Sequence, residues 1–441
     1  MPFKYNPPTS TSCEVCNNLI EREPIIDSHS GKSSSSKSFP IHNWYYFVLG
    51  YSPSFPEYVI KKEKISKSKI VLDPFMGTGT TLICCKKNQI PSYGVDANDF
   101  FVTASKTKLD WTIQLGQLER EKTKILKKLR KKFGKYKFNK EIIKRYEKRR
   151  PEMLTERYLS DIPFIKLTLI KDTVADIDSS KRIISVFELA LHSIILPSSN
   201  IKYGPGFGIG KLKDDVDVLG LFEQKLERII SDLKGIKTKN KKVLSKTKLG
   251  DSRKISKDFK ENSIDFMITS PPYPGDHEYT KHTRLELIFS STAENLSEFR
   301  TIKKRMIRGS TTNIYKDDNE RKNVGHINSI NEITQEIAKR LIRDNATSGF
   351  EKLYTKLVWE YFGGMYTHFL EAQKILKKGG KYYLLVGDSH AFKMVHIQTS
   401  KILEEIAKEI GFRNTKIELW QKKYSSSHKY LLNEDILILE K

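Results

Sequence analysis

Two short segments of the chain carry residue types that could do chemistry together. The first, Leu72–Thr81, reads Leu-Asp-Pro-Phe-Met-Gly-Thr-Gly-Thr-Thr. An acid closes an apolar run, and the glycines at 77 and 79 permit a tight turn. The backbone amides at the start of the following helix then face outward, where they can meet a ligand. This makes Asp73, Pro74, Phe75, Met76, Gly77, Thr78, Gly79 and Thr80 candidate binding residues. The turn suits a ligand bearing a carboxylate and hydroxyls. A triphosphate is excluded because no GxxxxGK[ST] occurs, and a dinucleotide GxGxxG is also absent. About 18 residues beyond the glycines, Asp96 ends a second apolar run. An acid at that place can hold a ribose diol.

The second segment is Thr269-Ser-Pro-Pro-Tyr273, directly after the apolar run Ser263–Thr269. Pro271 and Pro272 fix the backbone and offer carbonyls with no competing N–H. The Ser270 hydroxyl and a carbonyl can then both accept from one amino group, while Tyr273 can stack on a planar ring. About 197 residues separate Asp73 from Ser270, so only a tertiary fold can join the two segments.

The elements around them read as an α/β fold. Lys69–Asp73 is a short strand, Thr80–Asn88 a helix and Ser92–Asp96 a second strand, the opening of a parallel sheet. The pattern resumes near Leu249-Gly-Asp-Ser and at Ser263–Thr269. A helix (Tyr354–Leu376), a turn at Gly379-Gly380 and a strand (Lys381–Gly387) follow. Next come a helix (Thr399–Gly411) and two strands near Lys416–Gln421 and Asp435–Glu440. Residues 1–40 are polar, with a serine-rich stretch at Ser28–Ser38, and read as a mobile arm. The expected organisation is this arm, a first α/β part over 41–105, a mainly helical insertion over 106–245, and a second α/β part over 246–441. That second part carries its own insertion at about 278–350. Tyr203–Gly210 reads as a glycine-rich loop.

With 78 Lys+Arg against 53 Asp+Glu, the 441-residue chain has a net charge of +25, which points to a polyanionic partner. Arg120–Arg150 alone holds 16 basic residues and 3 glutamates. From it, Lys127, Lys128, Arg130, Lys131 and Lys132 are candidate phosphate contacts; the bland alternative is a solvated helix face. Four cysteines make no disulfide framework. Cys13 and Cys16 form one CxxC with no second pair of ligands, so no metal site is expected, and Cys84 and Cys85 read as core. No apolar run reaches membrane-spanning length and no signal pattern opens the chain. A cytoplasmic, nucleoid-associated protein is expected.

Together the two motifs resemble those of the S-adenosylmethionine-dependent DNA amino-methyltransferases, which carry DPFxGxGTT and (S/D/N)PPY. Tyr51-Ser-Pro-Ser-Phe55 looks like that family's aromatic-proline cofactor segment, which adds Ser52, Pro53 and Phe55. Gly250-Asp-Ser252 looks like its acidic turn, which adds Asp251. Ile375–Gly380 looks like its strand entry, with Lys378 in place of a proline. The resemblance covers about 40–105 and 245–441 and implies a doubly wound, mostly parallel seven-stranded sheet with large helical insertions. It implies S-adenosyl-L-methionine as cofactor and Ser270 and the Pro271 carbonyl as acceptors for a target amine. Tyr273 would stack on a base flipped out of double-stranded DNA. Serine before the prolines resembles the cytosine-N4 subgroup; adenine-N6 transfer and an RNA amino-methyltransferase are the alternatives. Carbon-5 methylation is excluded, since no cysteine follows a proline. Little chain follows the last strand, so target recognition falls to the insertions, the first favoured for its charge. The setting implied is a restriction-modification system, with a cognate restriction endonuclease as candidate partner.

Overall fold

The computed structural model describes residues 25, 40–136, 138–203, 207–275, 277–425 and 430–441. Among the described residues nine strands form, in chain order: β1 (Val71–Asp73), β2 (Ser92–Asp96), β3 (Ile201–Tyr203), β4 (Phe207–Ile209), β5 (Ser245–Leu249), β6 (Ile264–Thr269), β7 (Leu376–Gly387), β8 (Arg413–Ser425) and β9 (Tyr430–Glu440). Seven of them make one sheet in the order β5-β2-β1-β6-β7-β9-β8, while β3 and β4 pair separately. Every neighbouring pair from β5 to β7 is parallel; β9 runs antiparallel to both β7 and β8. This is the expected doubly wound, mostly parallel seven-stranded sheet with helical insertions.

The strands bury both faces, and the period-2 alternation of side chains divides them cleanly. Val71, Ile268, Tyr383, Leu385, Ile436 and Ile438 point to one side, where they pack with Phe55, Val59, Cys84 and Cys85. Leu72, Met267, Tyr382, Leu384, Leu437 and Leu439 point to the other. There they meet buried residues of helices Asn328–Arg343, Tyr354–Ile375 and Thr399–Ile410. Cys84 and Cys85 are buried free thiols, as their apolar surroundings suggest.

The stretch 106–245 folds into long helices, chiefly Leu115–Lys135, Asp161–Ala175, Lys181–Ser198 and Val218–Lys234. Their core is continuous with helix Asp99–Leu109 and the aromatic residues before Gly50. Trp44 donates its indole N–H to Asp232 at 2.9 Å, and the Phe100 ring lies 5.2 Å from that of His192.

Three sequence expectations change. Part of the glycine-rich loop at 203–210 is the β3–β4 ribbon; residues 204–206 lie outside the described residues. The expected turn at Gly379-Gly380 is an irregularity within β7. Its partner register jumps from Ile264↔Leu376 to Phe266↔Lys381, with Gly379 at φ +71°. The last two strands are also much longer than the apolar runs that betray them. Gln421–Ser425 pairs with Glu434–Tyr430 as a ribbon whose polar residues hide its strand character. The serine-rich stretch and the Cys13–Cys16 pair lie outside the described residues. Among the described residues, no helix is long and apolar enough to cross a membrane.

Candidate functional site

A cleft of about 290 Å³ opens at the C-terminal ends of β1, β2 and β6, the end where parallel sheets bind ligands. Both chemistry-bearing segments meet there. Pro74, Phe75, Met76, Gly77, Thr78 and Thr80 line one part, together with Asp96; Ser270, Pro272 and Tyr273 line another.

What joins them is the carboxylate of Asp73, which is fully buried. One of its oxygens accepts from Thr269 Oγ1 at 2.5 Å and from the Phe75 amide at 3.1 Å. The other accepts from the Tyr51 hydroxyl at 2.8 Å. Tyr51 also lies 2.5 Å from Thr81 Oγ1, which donates to the Ile268 carbonyl at 3.2 Å. Burial pushes the Asp73 carboxyl up to about 6, and the Thr269 and Tyr51 donors hold it from rising further. Asp73 is therefore the tie between the motifs, and it lies behind the cleft wall.

The turn after Asp73 needs its glycines. Gly77 and Gly79 sit at φ +49° and +83°, the left-handed region. A Cβ on Gly79 would come within 3.0 Å of Ser105 Oγ, the hydroxyl that donates to the Gly77 carbonyl. A Cβ on Gly77 would meet no protein atom within 4 Å. Bare backbone thus floors the cleft. Asp96 holds this turn, accepting from the Gly77 amide and the Asn98 amide, each at 2.8 Å. Burial raises its carboxyl to about 7. The carboxylate stands at the cleft with lone pairs toward any hydroxyl donor placed there.

At the other end, the Ser270 hydroxyl donates to the Leu385 carbonyl at 3.0 Å, so its lone pairs remain for a donor in the cleft. Tyr273 lies with its hydroxyl 3.1 Å from Ser270 Oγ, 3.3 Å from the Leu385 carbonyl and 3.2 Å from Glu434 Oε1. Burial keeps this phenol protonated, far above its ordinary range. The Pro272 carbonyl accepts from Tyr361 at 2.9 Å, which fixes the second proline. Pro271 is buried and is not among the cleft-lining residues.

Other expected residues lie beside the cleft. Ser52 Oγ accepts from Ser54 at the entry to helix Ser54–Lys62, which Pro53 precedes. Phe55 packs edge-on against Trp420. In their place Phe47–Tyr51 supply the wall. Asp251 turns its carboxylate to Arg253, at 2.7 and 2.9 Å, and the flanking Gly250 and Ser252 line the cleft. Tyr279 and Arg305, which the second insertion brings in, and Lys423 and Glu434 from the terminal ribbon also line the cleft, though no sequence motif marks them. Arg305 donates to the Ala97 carbonyl at 3.2 Å and pairs with Asp99, next to Asp96. The aromatic run Trp44–Phe47 was the one sequence signal that could have pointed to the Phe47 wall.

The basic run is more neutralised than its composition suggests. Arg130 makes a two-pronged pair with Glu223, Lys128 pairs with Asp176, and Lys132 donates to Thr173. Lys127 and Lys131 are exposed, with no ion-pair partner among the described residues.

Residues 29–107 match the DNA methylase family N6_N4_Mtase. Over 96% of its length the chain is 26% identical to Type II methyltransferase M.BsoBI of Geobacillus stearothermophilus, covering 90% of that protein. It is 22% identical to Type II methyltransferase M.AvaI of Nostoc sp. over 87% of the chain and 81% of that relative. A shorter stretch, 36% of the chain, is 28% identical to Type II methyltransferase M.MjaII of Methanocaldococcus jannaschii and spans 28% of it. These likenesses support the amino-methyltransferase family.

The tie between the motifs is testable. Thr269→Val keeps the shape and removes one donor to a buried carboxylate, so it should cost about 2 kcal/mol. Denaturant unfolding measures this; unchanged stability would remove the tie.

Proposed function

We propose that this chain is a site-specific DNA methyltransferase that moves the methyl group of S-adenosylmethionine to the exocyclic N4 amine of cytosine in duplex DNA. We further propose that it is the protective half of a restriction-modification system. One observation carries the reading: a cleft with a bare glycine floor and a half-buried acid at one end opens, at its other end, onto a serine hydroxyl whose proton is already committed. The likeness to Type II methyltransferases supports it.

The residues present fit the methyl donor. The Gly77–Gly79 backbone leaves room for its methionine part, and the Asp96 carboxylate would hold the ribose hydroxyls. Gly250, Ser252 and Phe75 would wall its base. When bound, the donor supplies an electrophilic methyl group on sulfur. The chain's task lies with the acceptor. An aromatic amine is a poor nucleophile because its lone pair is delocalised into the ring. Ser270 Oγ, which lines the cleft, would take a hydrogen bond from an N–H of that amine and help return the pair to nitrogen. The hydroxyl keeps its own proton on Leu385 throughout. Tyr273 would give the extruded base a stacking face. Lys127 and Lys131 are exposed cations of the first insertion through which DNA phosphates would be met.

Three outcomes are expected. Ser270→Ala should lower turnover of labelled methyl transfer by roughly 10²-fold, the scale of losing one positioned polar group. Cofactor and DNA affinity should hardly move, and wild-type turnover would remove Ser270 from the chemistry. Hydroxyl donors favour the ionised Asp96, whose folded carboxyl titrates at about 7. Cofactor affinity should therefore be full above pH 7 and fall as pH drops through it, by up to about tenfold per pH unit. Calorimetry should show no such slope for Asp96→Asn; the same slope there would assign it to another group. Finally, Lys127→Glu with Lys131→Glu should shallow the slope of log DNA affinity against log salt by about one per lost contact. An unaltered slope would make the helix a plain solvated face.

A further inference from the structure

We propose that Glu434, on the terminal β8–β9 ribbon, is a positioning residue that sets the Tyr273 ring for the target base, an inference that rests on the methyltransferase reading. Glu434 lies 161 residues from Tyr273 in sequence, yet its Oε1 is 3.2 Å from the tyrosine hydroxyl. Its side chain lines the cleft beside Ser270 and Tyr273 while remaining only 3% exposed. A carboxylate that deep must be compensated by partners. The ribbon supplies them from the facing strand: Lys423 at 2.5 Å on Oε1 and Gln421 on Oε2. Gln421 and Glu434 are direct register partners, and Lys423 lies two residues along, on the same side of the ribbon.

The Tyr273 ring is pinned at two places. A Cβ on Gly387 would lie 3.0 Å from Tyr273 Cε2 and 3.3 Å from Cδ2, so Gly387 lets the ring settle on the β7 backbone. Glu434 then fixes the position of the hydroxyl end. A phenol held protonated by its surroundings donates, and the carboxylate is the charged acceptor within its reach. A stacking face needs a fixed plane more than it needs a hydroxyl. In this account the hydroxyl of Tyr273 serves to carry the Glu434 hold, and Lys423 and Gln421 keep Glu434 in place. The terminal ribbon thereby takes part in the target-base site.

The test is a double-mutant cycle on DNA methylation by the full chain, with substrate carrying a fluorescent base analogue at the target position. Glu434→Ala should lower kcat/KM for DNA by about tenfold, the scale of one hydrogen bond to a charged group. It should also lower the flipped-base signal, with calorimetric cofactor affinity unchanged. In a Tyr273→Phe background, where the hold is already absent, Glu434→Ala should cost less than about twofold, because paired groups are not additive. Glu434→Gln, which still accepts from the phenol, should recover most of the loss; Glu434→Met, which cannot accept strongly, carries the cycle if the alanine variant does not fold. Equal losses in both tyrosine backgrounds would mean a merely structural glutamate, and no loss would mean no role; either result overturns the proposal. If the wild-type chain methylated DNA but the cycle showed no coupling, this inference would fall alone. If the wild-type chain methylated no DNA, the methyltransferase reading would fall with it.

Discussion

The structure depends on a charge placed where water cannot reach it. Burying the Asp73 carboxylate carries a penalty of several kcal/mol unless donors surround it. Three donors do so: the Phe75 amide of its own turn, Tyr51, 22 residues before it, and Thr269, 196 residues away. Satisfying that one group forces the glycine turn after β1 and the serine-proline segment after β6 to share an address. The cleft follows from it. The turn leaves bare backbone on one side, the prolines stiffen the other, and the parallel strands between them hold the two ends in register.

A second layer of hydrogen bonds then assigns each end its polarity. Asp96 accepts one amide on each oxygen, from Gly77 and Asn98, and keeps acceptor capacity at the cleft. Ser270 gives its proton to Leu385 and so also presents an acceptor. Acceptors at both ends of one cleft suit a hydroxyl-bearing donor molecule at one and an amine at the other. This complementarity, more than any single side chain, supports methyl transfer between them.

Much of this was legible in the sequence, and the exceptions have physical causes. The apolar runs Ile264–Thr269 and Ser92–Asp96 fall on strands because parallel strands buried on both faces read as unbroken apolar segments. Asp96 and Ser270 were recognisable because each follows such a run directly. Asp73 was legible as important but not as a tie, since nothing local indicates that Thr269 will become its partner. Asp251 and Phe55 were placed at the cleft by resemblance, yet one serves Arg253 and the other packs on Trp420. Glu434 and Lys423 were illegible, because a polar two-stranded ribbon has no periodic apolar signal and its register is fixed only by pairing. Charge counting overstated the first insertion for a related reason. Composition cannot show that Arg130 and Lys128 are met by Glu223 and Asp176 from other helices.

In the proposed function the two ends of the cleft act on one methyl group and one cytosine amine. The most direct measurement incubates the full chain with duplex DNA and methyl-labelled S-adenosylmethionine, digests the DNA to nucleosides and identifies the labelled product by mass spectrometry. Label is expected in N4-methylcytosine. Label in N6-methyladenine would contradict the choice of base, and DNA without label would contradict the proposed function itself.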